Sequence, residues 1–223
     1  MDKFCVSVAE VDFEHCMMIL KSHKMQDNDL IELRLDNCKF DSEHIKHLFS
    51  YSIDVIATCR PGSKTDDQRK ELMLNCIESG AAYVDIEIDS PADYRKTLIS
   101  AAKAKNCKVI LSYHNEESTP PTNELMSIIQ QCFDEKADIS KIACLTSTEA
   151  ECARIISLYS RVNDKFDEGQ LLAIAMGKAG RISRIAAPLL GAPFTYAAVT
   201  LGRETALGQF DLRKMKQISE MMG

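Results

Sequence analysis

The 223-residue sequence has no apolar run near the ~18 residues that a membrane-spanning helix requires. Its opening, MDKFCVSVAEVDFEH, carries charges within the first apolar stretch and lacks a small-residue cleavage site. The expectation is a soluble, unexported protein of the cytoplasm. No basic run is interleaved with aromatics, and Asp plus Glu exceed Lys plus Arg by 33 to 27, for a net charge of −6. That balance argues against nucleic acid as a partner. Repeats, low-complexity segments and linkers are all missing, so one domain over residues 1–223 is expected. The nine cysteines form no C-x-x-C pair and have no histidine nearby at metal-ligand spacing, which reads as reduced thiols in place of a disulfide framework or zinc site.

What remains is an ordinary globular composition, 45% hydrophobic and 27% charged. Along the chain, short strand-like runs alternate with helical periodicity. The strands expected are Phe4–Val8, Leu30–Leu35, Asp54–Cys59, Tyr83–Ile88, Lys108–Tyr113, Ser140–Leu145, Leu171–Met176 and Phe194–Val199. Between and after them the helices expected are Val11–Lys24, Ser42–Ser50, Asp67–Ser79, Pro91–Lys105, Thr122–Lys136, Ser147–Arg161, Gly180–Leu190 and Asp211–Met222. Ser90 before Pro91, and Ser147 or Thr148 ahead of Glu151, read as helix starts. Eight β-α units averaging ~28 residues fit a compact (β/α)8 TIM barrel, an α/β fold. An open doubly wound sheet has the same alternation.

Strand parity sharpens the picture. Leu30–Leu35 sets Glu32 and Arg34 opposite Ile31, Leu33 and Leu35, and Tyr83–Ile88 sets Asp85 and Glu87 opposite Val84, Ile86 and Ile88. An antiparallel sheet would present such polar faces to water. In a parallel barrel the aliphatic face meets the helices, so the polar face looks inward, where charges are costly unless paired or used. The same parity places Arg60, His114 and Lys141 with Glu32, Arg34, Asp85 and Glu87 around one cavity.

Lys141 lies in the apolar strand DISKIACL. It is either a strand-start lysine reaching solvent or a Schiff-base nucleophile. His114, at the C-terminal end of a strand where barrel chemistry is found, is either structural or a general acid/base. His15, His23, His44 and His47 fall in amphipathic helical stretches and read as solvated; His44 and His47 are one turn apart but lack an organised set of further ligands.

Taken in order, these pieces resemble the type I 3-dehydroquinate dehydratase family over essentially the whole chain. They are E-x-R (Glu32, Arg34), Arg60 closing the third strand, D-x-E (Asp85, Glu87), S-Y-H-N (Ser112 to Asn115), K-I-A (Lys141 to Ala143), M-G-x-x-G-x-x-S-R (Met176 to Arg184) and G-Q (Gly208, Gln209). The resemblance implies that Lys141 condenses with the C3 ketone of 3-dehydroquinate. It also implies that His114 moves protons during imine formation, C2 deprotonation and loss of the C1 hydroxyl, giving 3-dehydroshikimate and water. By the same resemblance Arg184 pairs with the substrate carboxylate, while Glu32, Arg34, Arg60, Thr205 and Gln209 hold ring hydroxyls and neighbouring charges. Asp85 and Glu87 are then the acids behind the histidine. No cofactor and no metal are implied, the partner is the small-molecule substrate, and a homodimer is expected.

Two positions depart from the family pattern. Lys64 stands roughly where many members have an acid near the histidine, which leaves the orientation of His114 to Asp85 or Glu87. Leu207 replaces a proline before G-Q, and Thr205 replaces a serine with its hydroxyl retained. Competing readings are a class I aldolase-like Schiff-base barrel, with Met176–Gly180 as a phosphate loop, and a non-catalytic carboxylate-binding barrel.

Overall fold

The structure is a computed structural model that describes residues 4–10, 12–25 and 30–222. Its strands are β1 (Phe4–Val8), β2 (Leu30–Arg34), β3 (Asp54–Thr58), β4 (Tyr83–Glu87), β5 (Lys108–Asn115), β6 (Ile139–Leu145), β7 (Leu171–Met176) and β8 (Thr195–Ala198). The helices are α1 (Phe13–Met25), α2 (Ser42–Phe49), α3 (Asp66–Glu78), α4 (Ala92–Ala104), α5 (Thr122–Asp134), α6 (Glu149–Ile156), α7 (Leu158–Asn163), α8 (Arg181–Leu189) and α9 (Leu212–Met222). The sheet order is β7-β6-β5-β4-β3-β2-β1-β8. This sequential circuit, with the last strand beside the first, is that of a (β/α)8 barrel and has no reversal point of the kind a doubly wound sheet requires.

All eight expected strands form, with ends shifted by a residue or two. The exception in character is β5, which continues through His114 to Asn115 and so puts the histidine within the strand. The helix expected over Ser147–Arg161 is divided at Ser157, which ends α6 and precedes α7 while its hydroxyl donates to the Arg154 carbonyl at 2.8 Å. Side-chain bonding back to a carbonyl of the preceding turn bends helices at such positions. Thr148 caps α6 in a reciprocal box with Glu151, as expected from sequence. Ser90 does not cap α4: Pro91 is the N-cap residue, and the buried Ser90 hydroxyl has no hydrogen-bond partner among the described residues. The expected helix start at Val11 lies outside the described residues.

Two compact units are distinguished, one comprising Ser7–Ile110 and the other Met1–Val6 with Leu111–Gly223. Within the first, β2, β3 and β4 pair in parallel, with Glu32 beside Ile56 and Arg34 beside Thr58, and Thr58 beside Asp85. Ile31, Leu33, Val55, Ala57, Val84 and Ile86 are buried on the opposite parity. α3 packs against β3 and β4 and α2 against α3, with Ile45 and Leu48 of α2 and Met73 and Ile77 of α3 buried. Within the second, β6 and β7 are parallel from Ser140 beside Leu171 to Leu145 beside Met176. Every residue of β7 is buried, as a strand covered on both faces requires. All nine cysteines are buried free thiols. No helix among the described residues is long and apolar enough to cross a membrane.

Candidate active site

In the Ser7–Ile110 unit, period-2 geometry and parallel register bring the acidic and basic strand residues into one connected set. Glu32 is 4% exposed; its Oε2 accepts from the Ser7 hydroxyl and its Oε1 from the Thr58 hydroxyl at 3.0 Å. Arg60 lies just past the end of β3 and keeps the parity of Thr58. Its two terminal nitrogens donate to the two oxygens of Asp85, each at 2.8 Å, in a bidentate fork. One of them is also 2.7 Å from Glu87. Burial alone would lower the Arg60 pKa, but Asp85 and then Glu87 outweigh it, and the guanidinium sits above the ordinary arginine value. Asp85 and Glu87 are thus partners of Arg60 within this unit.

Asp36 is the residue that sequence reasoning missed here. One carboxylate oxygen accepts from Arg34 Nε at 3.0 Å and from a terminal nitrogen at 2.7 Å, and the other accepts from the Arg60 backbone N–H at 2.6 Å. Its carbonyl receives the Ser63 hydroxyl and Lys64 Nζ, the latter at 2.7 Å. Lys64, the departure from the family pattern, also donates to the Cys38 carbonyl at 2.9 Å, so its ammonium ties the loop after β3 to the loop after β2. Buried Arg69 secures the other end of that loop by donating to the Cys59 carbonyl at 3.1 Å. The signal for Asp36 was present in the alternation Glu32, Arg34, Asp36, which runs past the strand end.

In the other unit, His114 is half-buried near the end of β5. Directly after it, Asn115 Oδ1 accepts the backbone N–H groups of Glu117 and Ser118, at 3.0 and 2.8 Å, and shapes the loop leaving the strand. Lys141 is 5% exposed, so it is not a lysine reaching solvent. Its Nζ donates to the Tyr196 hydroxyl at 3.2 Å and lies 4.5 Å from that ring's centroid. Tyr196 is a second residue that sequence reasoning missed. A tyrosine in a buried strand requires a hydrogen-bond partner for its hydroxyl, and that requirement was the available signal.

The glycine-rich motif acquires a steric meaning. A Cβ on Gly180 would stand 2.3 Å from the Ala175 carbonyl oxygen, and one on Gly208 would stand 2.5 Å from the Gly177 oxygen. Ser183, at the motif's end, accepts the Ala175 N–H at 2.9 Å and donates to the Gly180 carbonyl at 2.8 Å. This stitching delivers Arg184, 1% exposed, whose terminal nitrogen donates to the Leu207 carbonyl at 3.0 Å while its Nε has no hydrogen-bond partner among the described residues. Burial, with Arg181 adding to it, pushes the Arg184 pKa down to about 10, so it remains a cation at neutral pH. Thr205 and Gln209 bond each other: the Thr205 backbone N–H reaches Gln209 Oε1 at 2.8 Å, and Gln209 Nε2 donates to the Thr205 hydroxyl at 3.1 Å.

Lys141, His114, Arg184, Thr205 and Gln209 therefore belong to one unit, and Glu32, Arg34, Arg60, Asp85 and Glu87 to the other. Among the described residues no group of three or more His, Cys, Asp or Glu side chains could hold a metal ion. A buried amine on a rigid strand, a histidine at a strand's C-terminal end and a buried guanidinium with a vacant donor suit a carbonyl substrate that carries a carboxylate.

Comparison with known proteins gives the same picture. The sequence model of the family described as Type I 3-dehydroquinase matches residues 4–223. The chain is 31% identical over 222 residues to a 3-dehydroquinate dehydratase of Desulfotalea psychrophila, covering 97% of this chain and 96% of that one. It is 34% identical over 206 residues to one from Pyrococcus abyssi, covering 90% of each. Among solved structures it is similar to the Aquifex aeolicus 3-dehydroquinate dehydratase, with a TM-score of 0.82, 26% identity and 98% coverage of both chains. The type I enzyme from Clostridium difficile, with covalently modified comenic acid, matches at a TM-score of 0.89 and 21% identity, over 99% of this chain and 92% of that one. These likenesses bear out the (β/α)8 expectation.

Proposed function

The chain belongs to the type I 3-dehydroquinase family, hydro-lyases acting on 3-dehydroquinate in the shikimate pathway, and we propose that its reaction runs through an imine on Lys141 with His114 moving the protons. The observation that carries this reading is the burial of the Lys141 ammonium at 5% exposure on β6, a position whose cost only a use or a partner justifies. β5, which bears His114, is the neighbouring strand in the sheet.

The sequence of bonds follows from elementary carbonyl chemistry. The neutral amine of Lys141 attacks C3, the C3–O bond breaks, and that oxygen leaves as water once it has been protonated. The resulting iminium withdraws electrons from the C2–H bond, which lets a base as weak as imidazole remove that proton. The electron pair then expels the C1 hydroxyl, to which the imidazolium returns the proton. Hydrolysis of the product imine restores the amine and releases 3-dehydroshikimate. Two waters leave and one re-enters, so the net loss is one water.

Arg184 is the carboxylate anchor in this scheme. Its unpartnered Nε and a terminal nitrogen offer the planar fork that a carboxylate accepts. Thr205 and Gln209, already oriented by each other, serve the ring hydroxyls, as do Glu32, Arg34 and Arg60. Asp85 and Glu87 support the site by holding Arg60. The whole chain then acts as one catalytic domain, and a homodimer in the cytoplasm completes the reading by family resemblance.

Borohydride added with 3-dehydroquinate tests it. The expected result is a reduced adduct on the peptide that contains Lys141, together with loss of the absorbance gain that marks the conjugated product. Absence of an adduct during turnover removes the imine mechanism.

A further inference from the structure

The Tyr196 hydroxyl stands 3.2 Å from Lys141 Nζ, inside the protein, with the lysine 5% and the tyrosine 4% exposed. The same nitrogen lies 4.5 Å from the centre of the tyrosine ring. One side chain therefore offers this nitrogen both a lone pair and an aromatic face. The ring is itself held: Phe194, 2% exposed, packs edge-on against it with centroids 5.5 Å apart and planes at 83°. Tyr196 lies within β8 and buried Phe194 directly precedes that strand, so the hydroxyl is carried by a strand residue and not by a loop.

We propose that Tyr196 is a further catalytic residue: its oxygen accepts the N–H of the protonated imine on Lys141 while its ring faces the cation. This rests on the reading of Lys141 as the imine-forming residue and deepens it. When the amine condenses with a ketone, the Nζ–C3 bond forms, the C3–O bond breaks and the oxygen leaves as water. The nitrogen then keeps a single hydrogen and a positive charge. An imine is planar, so fixing the direction of that N–H fixes the plane of the substrate carbons attached to C3. The charge on nitrogen is what makes the group an electron sink, because an imine that loses its proton accepts the C2 electrons far less readily. A hydrogen-bond acceptor and an aromatic face both favour the charged form, the latter by more where water is excluded. No electron or proton passes permanently to the tyrosine. Its contribution is preorganised electrostatics directed at the nitrogen where charge develops.

The test compares wild type with Tyr196→Phe, which keeps the ring and removes the oxygen, and with Tyr196→Leu, which removes both. Turnover is expressed per site that borohydride can trap, counted by mass spectrometry, so misfolded molecules do not enter the rate. For Tyr196→Phe the expected kcat falls on the order of 30-fold with KM within about threefold, and exchange of the C2 hydrogen with solvent deuterium slows in parallel. Tyr196→Leu is slower again. A kcat within twofold of wild type and unchanged C2 exchange in Tyr196→Phe overturns the proposal while the wild-type adduct on Lys141 stands. Failure of wild type to form that adduct overturns the imine reading and this inference with it.

Discussion

Asp36 holds Arg34 from the same oxygen twice, at 3.0 Å through Nε and at 2.7 Å through a terminal nitrogen. Its other oxygen takes the Arg60 backbone N–H at 2.6 Å, so one carboxylate sets the side chain of one arginine and the main chain of another. Asp36→Ala should cost about 2 kcal/mol of stability, the scale of lost charge-assisted hydrogen bonds in a partly buried setting. It should also lower kcat/KM for 3-dehydroquinate on the order of 30-fold. Asp36→Asn, which can still accept from the Arg60 N–H, should recover stability more than activity. Urea melts and steady-state kinetics on the two variants measure both effects, and equal recovery would place Asp36 in the fold alone.

The Gly180 Cα lies so close to the Ala175 backbone that alanine substitution must push strand and helix apart, breaking the Ser183 bonds that join them. Gly180→Ala should lose about 3 kcal/mol or more. Gly208→Ala adds a left-handed backbone, φ +81°, to a similar clash with Gly177. Thermal unfolding should show both variants well below Ala179→Gly, a change that meets no such contact.

Arg184 is a buried cation with an unsatisfied donor, which suits ligand binding better than stability. Its pKa is depressed to about 10, so the charged form is the one the fold disfavours. That penalty is full below about pH 10 and is relieved as the pH rises through it, because the unfolded chain then holds more protons than the native one. A bound carboxylate offsets the penalty only while the guanidinium is charged. Thermal stabilisation by 3-dehydroshikimate should therefore decline above about pH 10. Arg184→Met should leave the ligand-free protein at least as stable as wild type at neutral pH while weakening product binding on the order of 100-fold, about 3 kcal/mol. Unchanged binding in calorimetry would remove Arg184 from the carboxylate site.

The buried thiols carry a pH signature of their own. Burial raises Cys59 from 9.0 to about 11, and raises Cys16 and Cys144 to about 12. Their folded values exceed the unfolded one, so the stability they contribute is present below about pH 9 and is lost as the pH climbs toward those values. A disulfide reagent at pH 8 should label almost no thiol in the native protein and all nine in guanidinium. Rapid native labelling at any of these three cysteines would contradict the burial.

Much of the architecture was legible in the residue order, because alternation with period 2 is a local property. Glu32 with Arg34, and Asp85 with Glu87, declare a polar face within single strands, and the aliphatic residues between them declare the opposite one. Capping is equally local, and Thr148 with Glu151 was readable from three residues of spacing. Ser90 misled because a serine before a proline satisfies the same pattern, whereas the helix here begins one residue later. Lys64 could be flagged as a departure in the sequence, but its reach to the carbonyls of Asp36 and Cys38, 28 and 26 residues away, depends on two loops meeting.

The sequence by itself determined the order and type of the elements, the parity of their faces and the kinds of chemistry available, since each follows from neighbours within a few residues. Tertiary structure alone decided which groups became partners. Tyr196 reaches Lys141 across 55 residues of chain, and Arg60 meets Asp85 across 25. Gly180 owes its necessity to a backbone oxygen that no spacing rule names. Hydrogen bonds and steric contact act over a few ångströms in space, and separation along the chain does not encode that distance until the strands are laid side by side.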